Sequence, residues 1–275
     1  MERFPNALSA RQQASTQKSA GERLASLASI TWGRDIAEVY DATYAALAEP
    51  SVLEPMVDLL ADLAGGGPVL EFAIGTGRVA LPLAQRGIPV HGIELSPHMV
   101  EQLQAKPGAD SLSVSLGDMT TTRVPSTFTL VYLVANTIMH VTTQDEQIQV
   151  FANAAAHLGS GGSFVVEVIV PQLRRVPPGE IGRVLRLDRD HVGIETFDDV
   201  ADQIAWSRHW IQVGGRLVHH SAPYRYVWPS ELDLMARIAG FALSARWANW
   251  DRSSFTSDSA SQIAVFVKSE QPAER

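Results

Sequence analysis

Two glycines one residue apart, Gly75 and Gly77, stand with Ala80 directly after the apolar run Val69, Leu70, Phe72, Ile74. Glycine lets backbone approach a ligand with no Cβ in the way. A helix that begins on the far side of such a turn points its free N–H groups at whatever sits there. The chemistry on offer is the holding of a nucleotide-like group. Acids follow in order: Glu71 inside the run, Glu94 after the next apolar stretch, Asp118 after the one beyond it. His140 ends the stretch Asn136-Thr137-Ile138-Met139-His140. An imidazole of ordinary pKa near ~6.5 suits proton removal at neutral pH, so a rate that depends on it rises with pH through that value.

Further along, Gly214-Gly215 reads as a two-residue hairpin turn, which sets His209 opposite His220 and Trp210 opposite His219. By alternation His220, Tyr224, Tyr226 and Trp228 share one side. Such a side is an aromatic wall suited to a flat or cationic ligand. Two histidines across a hairpin can begin a metal site, but the sequence supplies no third ligand, and no metal is expected.

The elements that position these residues follow from periodicity. Residues 1–30 open with a Ser-, Ala- and Gln-rich stretch and are expected to be a loose arm. Ile36, Val39, Tyr40, Thr43, Tyr44 and Leu47 fall at helical spacing up to Glu49-Pro50. Ser51 and Glu54 have the spacing of a capping box for a second helix through Leu63, ended by Gly65-Gly66-Gly67. These make a helical cap over 31–66. Strand, glycine turn and helix then alternate over 67–172. Strands are expected at Val69–Ile74, Ile88–Glu94, Leu112–Leu116, Phe128–Val134 and Ser163–Val170, with helices between, which implies a parallel sheet. Over 173–228 the period changes to alternation and antiparallel hairpins are expected. A helix from Pro229 to Gly240 and strands at Phe241–Trp250 and Ile263–Lys268 complete the chain over 229–275.

The 275 residues carry a net charge of −8, with 45% hydrophobic and 19% charged residues and no cysteine. One sizeable core is expected, with no disulfide, no thiolate chemistry and no Cys-bound metal. A negative body is a poor partner for phosphate backbones, so nucleic acid is not expected. No stretch approaches the ~20 apolar residues of a membrane span, and the first residues lack the apolar core of a signal peptide. A cytoplasmic location is expected, with a small-molecule partner and, at most, a second copy of the chain.

Gly75-x-Gly77-x-x-Ala80 also satisfies a dinucleotide fingerprint, so a nicotinamide-dependent oxidoreductase is a competing reading. Glu71 leans the other way. Leu70-Glu71-x-x-x-Gly75-x-Gly77 resembles the first motif of class I S-adenosylmethionine (SAM) methyltransferases, departing from it at Ala73, where a glycine is expected. The chain from about Trp32 to Lys268 resembles the small-molecule members of that family, similar in plan to amino-sugar N-methyltransferases and to actinomycete glycopeptide and indole methyltransferases. The resemblance implies an α/β fold: a Rossmann-like seven-stranded sheet with N-terminal helices and an inserted antiparallel β lid over the substrate. It implies SAM as cofactor.

By the same resemblance Glu94, 23 residues after Glu71, accepts from the ribose hydroxyls. Leu95 and Met99 pack beside the adenine, and Asp118 and Met119 read its edge. Leu133 and Val134 line the methionine moiety. Tyr40-Asp41-Ala42-Thr43-Tyr44 resembles the Tyr-Asp-x-x-Tyr segment of the amino-sugar enzymes, whose second tyrosine reaches the reacting centre; Tyr40 then lies with the cofactor-binding set, alongside Glu71, Ala73, Gly75 and Gly77. His140, after the fourth strand, falls beside the sulfonium. Expected catalytic residues are His140 and Tyr44; expected substrate contacts are His209, His220, Tyr224, Tyr226 and Trp228. The reaction expected is methyl transfer to a nitrogen or indole-type carbon of a secondary metabolite. A hydroxyl or carboxylate acceptor is the alternative, and a SAM-binding protein without turnover is the rival of another class.

Overall fold

Eleven strands and seven α-helices make up the computed structural model over the described residues, 32–269. The arm expected over 1–30 lies outside them. Two single turns, α1 (Arg34–Ala37) and α2 (Tyr40–Thr43), lead through a 3₁₀ turn to α3 (Pro50–Ala64). The periodicity of 36–47 had implied one continuous helix. The Ser51 capping box also goes unused: Pro50 takes the first helical position, where its missing N–H is harmless, and Glu49 is the N-cap.

The alternating part follows. Its elements are β1 (Val69–Phe72), α4 (Ala80–Gln85), β2 (Val90–Glu94), α5 (Pro97–Gln104), β3 (Ser113–Leu116), β4 (Phe128–Leu133), α6 (Gln144–His157) and β5 (Leu158–Ile169). Then come the four strands β6 (Gly182–Leu187), β7 (His191–Asp199), β8 (Ile204–Val213) and β9 (Arg216–Arg225). Helix α7 (Pro229–Ile238) and strands β10 (Phe241–Trp247) and β11 (Ser261–Lys268) end the chain.

Two sheets result. One is seven-stranded in the order β10-β11-β5-β4-β1-β2-β3; the other is four-stranded, β6-β7-β8-β9. In the first, β1, β2, β3, β4 and β5 run parallel, and β11 enters antiparallel to both β5 and β10. Parallel strands covered by helices on both faces must be apolar on both, and in β4 only Thr129 is exposed. Alternate residues feed two clusters. Leu70, Phe72, Val131 and Leu133 pack with α6, α7 and the base of the second sheet. Val69, Leu130, Tyr132 and Val165 pack with α3 and α4. Each such buried side chain contributes about 1.5–3 kcal/mol of transfer free energy.

The second sheet is antiparallel throughout, and its β8–β9 hairpin pairs His209 with His220 and Trp210 with His219 across Gly214-Gly215. Strand β9 packs on the 3₁₀ turn Thr137–His140 that follows β4. No helix among the described residues is long and apolar enough to cross a membrane.

Candidate active site

At the end of β1 the chain turns left-handed three times: Ala73 at φ 55°, Gly75 at 57° and Gly77 at 80°. Ala73 therefore occupies a conformation that explains why a glycine is expected there. The loop holds an alanine in the left-handed region, where a Cβ is strained. At Gly77 a Cβ would lie 2.3 Å from Leu103 Cδ1, so a side chain there would displace the Leu103 tip that α5 packs against the turn. Met99 supports the turn from below, its Cε 3.5 Å from where a Gly75 Cβ would stand.

Glu94 ends β2 buried, at 6% exposure. Gly75 N–H donates to its Oε2 at 2.8 Å and Ser96 N–H to its Oε1 at 2.8 Å. Burial raises its pKa, opposed by those backbone donors. A carboxylate oxygen accepts more than one hydrogen bond, so each keeps capacity for a second donor. A vicinal diol presents two such donors. Leu95, next along, is 38% exposed.

Asp118 sits where β3 ends; its Oδ1 accepts from Thr120 N–H and Oγ1–H at 2.8 and 2.7 Å, and Met119 packs on the main core. Glu71 is 3% exposed and accepts from Tyr132 Oη–H at 2.9 Å. Burial pushes its carboxyl up to about 8, with the Tyr132 bond working the other way.

After β4, Ala135 and Asn136 are both left-handed, at φ 56° and 63°. Glu167 Oε2 accepts from Ala135 N–H at 2.7 Å, and Ile169 N–H donates to Asn136 Oδ1 at 2.7 Å. Strain pinned this way over-determines the turn that follows. Gln147 completes it: its Nε2 donates to Ile138 O and Val141 O, each at 3.1 Å. The same side chain accepts from Arg225 Nη1 at 2.6 Å at the foot of β9.

His140 ends that turn and keeps exposed surface. Trp32 stands edge-on to it with ring centroids 5.5 Å apart, and 6.4 Å from His220 on the second sheet. Tyr40 packs edge-on to Trp32 at 5.6 Å, and Tyr44 against Tyr40 at 4.8 Å. Enclosure by these walls, then the nearby His220, lowers the His140 pKa to about 4. Burial pushes the Tyr40 phenol up to about 12.

Sequence had placed Tyr224 and Tyr226 in an open wall. They are instead core residues at 7% and 2% exposure. Tyr224 donates to Glu195, which Arg183 also binds, and Tyr226 lies edge-on to Phe197 and Trp228. Trp228, at 37% exposure, keeps an open face. His209 has both ring nitrogens engaged, by His191 at 2.8 Å and Ser207 at 2.7 Å, and burial followed by its histidine and Arg186 neighbours lowers its pKa to about 4. Leu133 and Val134 are core side chains, one in each cluster. Among the described residues no group of three or more His, Cys, Asp or Glu is placed to hold a metal ion.

Residues the sequence did not assign to the site complete the arrangement: Trp32, Ser96, Thr76 and Gln147. Gln147 left a signal, being a polar residue in register with Phe151 and Ala154 on the apolar stripe of α6.

Residues 69–162 match a family described as a methyltransferase domain. The CcbJ methyltransferase from Streptomyces caelestis is 32% identical, with a TM-score of 0.77 over 87% of this chain and 98% of that one. The chain belongs to the SAM-dependent methyltransferases. Two more distant structures share the fold. One is a SAM-dependent methyltransferase from Clostridium acetobutylicum (14% identity, TM-score 0.69, 86% and 98% coverage). The other is the SAM-bound amino pentose methyltransferase of Micromonospora echinaspora (21%, 0.64, 84% and 97%). Curated relatives from Mycobacterium tuberculosis are uncharacterised proteins, 32% identical over 85 residues; the match spans 30% of this chain and 31% of theirs. In this family the cofactor is SAM, not a nicotinamide dinucleotide, and the β11 reversal is the closing end of the methyltransferase sheet.

Proposed function

We propose that the chain transfers the methyl group of SAM to a small-molecule acceptor, at an amine nitrogen or an electron-rich ring carbon. The observation that carries this reading is the meeting of Trp32, Tyr40, Tyr44, His140 and His220 in one aromatic and imidazole wall. Ser96 Oγ–H, donating to Trp32 O at 2.7 Å, ties that wall to the end of β2, where Glu94 stands. Rings of this kind favour a flat or cationic acceptor.

Bound SAM supplies an electrophilic methyl on a sulfonium. The chain's own residues bind, orient and exclude water. In this reading Glu94 takes the ribose hydroxyls, Asp118 and Met119 the adenine edge, with Leu95 beside it. The turn Ala73–Gly77 brings backbone close to the rest. Tyr44 and His140 face the acceptor. A His140 that resists protonation down to about pH 4 is neutral at working pH and accepts a hydrogen bond from the acceptor's N–H. It is a weak base. That suits an acceptor which attacks first and sheds its proton afterwards, and disfavours a hydroxyl, which needs deprotonation before attack.

Amino sugars and peptide amines are the first acceptors to try, since neighbours sharing the fold are titled amino pentose and glycopeptide N-methyltransferases. The test incubates the full chain with SAM and a panel of amines, indoles and phenols, and reads methylated product and S-adenosylhomocysteine by mass spectrometry. Methylated amine or indole supports the reading. Methylation of phenols alone moves the acceptor atom to oxygen, and SAM binding without product from any class favours the non-catalytic alternative.

A further inference from the structure

The segment that brings Trp32, Tyr40 and Tyr44 to the site has almost no core of its own. From 32 to 48 only Ala37 is buried, and α1 and α2 are single turns without side-chain caps. One turn of helix does not hold itself together in water. Polar bonds fix it instead. Thr76, inside the glycine turn, is 2% exposed, and its hydroxyl donates to Asp41 Oδ1 at 2.6 Å. Lys106, just past α5, reaches both partners: its Nζ donates to Thr76 O at 2.8 Å and pairs with Asp41 Oδ2 at 2.5 Å. Partial burial acts to raise the Asp41 pKa, but the bonds from Lys106 and Thr76 outweigh it and hold the carboxyl below its ordinary value. Two further bonds, Arg78 Nη1 to Leu47 O at 3.2 Å and Ser96 Oγ to Trp32 O, land on the same two pieces, the glycine turn and the start of α5.

We propose that Asp41 is a positioning residue, the latch by which the tyrosine-bearing segment closes on the glycine turn. Cofactor binding and the placing of Tyr40 and Tyr44 are then one linked equilibrium. A ligand held by the turn fixes the Thr76 donor, and a fixed donor holds Asp41 and the segment behind it. Linkage is reciprocal, so loosening the latch weakens the ligand by the same factor that the ligand tightens the latch. The second half of this inference rests on the SAM-binding reading; the latch itself does not.

The experiment uses the full chain and the variants Asp41→Ala, Asp41→Asn, Thr76→Val and the double variant Asp41→Ala/Thr76→Val. Hydrogen exchange of residues 33–48 is followed without ligand, and S-adenosylhomocysteine binding is measured by calorimetry. Asp41→Ala should speed exchange in 33–48 while leaving β4 unchanged, and weaken S-adenosylhomocysteine by about 5- to 150-fold. Thr76→Val should do the same, and the double variant should lose no more than Asp41→Ala alone, as two changes to one bond are non-additive. Asp41→Asn keeps an acceptor for Thr76 and should recover part of the loss. Unchanged exchange of 33–48 in Asp41→Ala overturns the latch. Faster exchange with unchanged S-adenosylhomocysteine affinity overturns the linkage. A parent chain that fails to bind S-adenosylhomocysteine defeats the cofactor reading, while the ligand-free exchange still decides the latch.

Discussion

At the scale of single residues, position and environment separate side chains that look alike in a list. Glu71 and Glu94 are both buried acids at the ends of neighbouring strands. Glu71 is turned into the α3–α4 side against Tyr132, whereas Glu94 is gripped by two backbone donors with capacity left over. Glu94→Ala should weaken SAM by about 1.5–3 kcal/mol, the range for hydrogen bonds to a charged group; calorimetry showing unchanged affinity would remove Glu94 from the site. His140→Ala should leave SAM affinity intact and lower kcat by less than the ~10²–10⁴ of a lost general base, because the acceptor attacks before it sheds its proton. The imidazole limb is moved from the expected ~6.5 down to about 4, so the parent rate should be flat through neutral pH and fall only as pH drops toward that value. The sign is that of a depressed histidine: its neutral form is favoured by the fold, so its stabilisation is present above ~6.5 and lost as pH falls. A limb still centred near ~6.5, absent in the mutant, would show that the wall does not shift His140. Ala73→Gly should stabilise the chain by about 0.5–1 kcal/mol in urea denaturation. Relief of a left-handed alanine, worth about 1–2 kcal/mol, exceeds the gain in unfolded-chain freedom.

At the scale of elements, the short turn Thr137–His140 carries the proposed proton acceptor, and Gln147 bonds that turn into place. Gln147 is fully buried and bonds the turn at both ends and Arg225 at the foot of β9. Arg225 is tied in turn to Glu231 and Gln203. Gln147→Leu keeps the volume and removes every one of Gln147's bonds, leaving buried groups unpaired. A loss of about 2–4 kcal/mol in chemical denaturation is expected. A loss under ~0.5 kcal/mol, the size of a neutral surface change, would mean that the network does not shape the turn.

At the scale of the whole molecule, stability is uneven by construction. Leu130 and Val131 in β4 are fully buried, while Val184 and Leu187 in the edge strand β6 are 60% and 75% exposed. Local opening follows burial. Amides of β6 should therefore exchange well before those of β4 and β5 in hydrogen-exchange mass spectrometry; equal protection would show the second sheet opening only with the first.

Sequence alone determined the alternating α/β plan, the strand limits within a few residues and the His209–His220 pairing. Each of these is set by local period or by a turn whose length fixes register. It also supplied Glu94 and the glycine turn, because both sit at strand ends that the pattern locates. Only the tertiary structure decided that Trp32 meets His140 and His220, that Asp41 reaches Thr76, that Tyr224 and Tyr226 belong to the core, and that His140 loses its ordinary pKa. Those contacts join residues tens to more than a hundred positions apart. Periodicity carries no distance between elements, and a pKa is set by the walls around a group, which do not exist until the chain has folded.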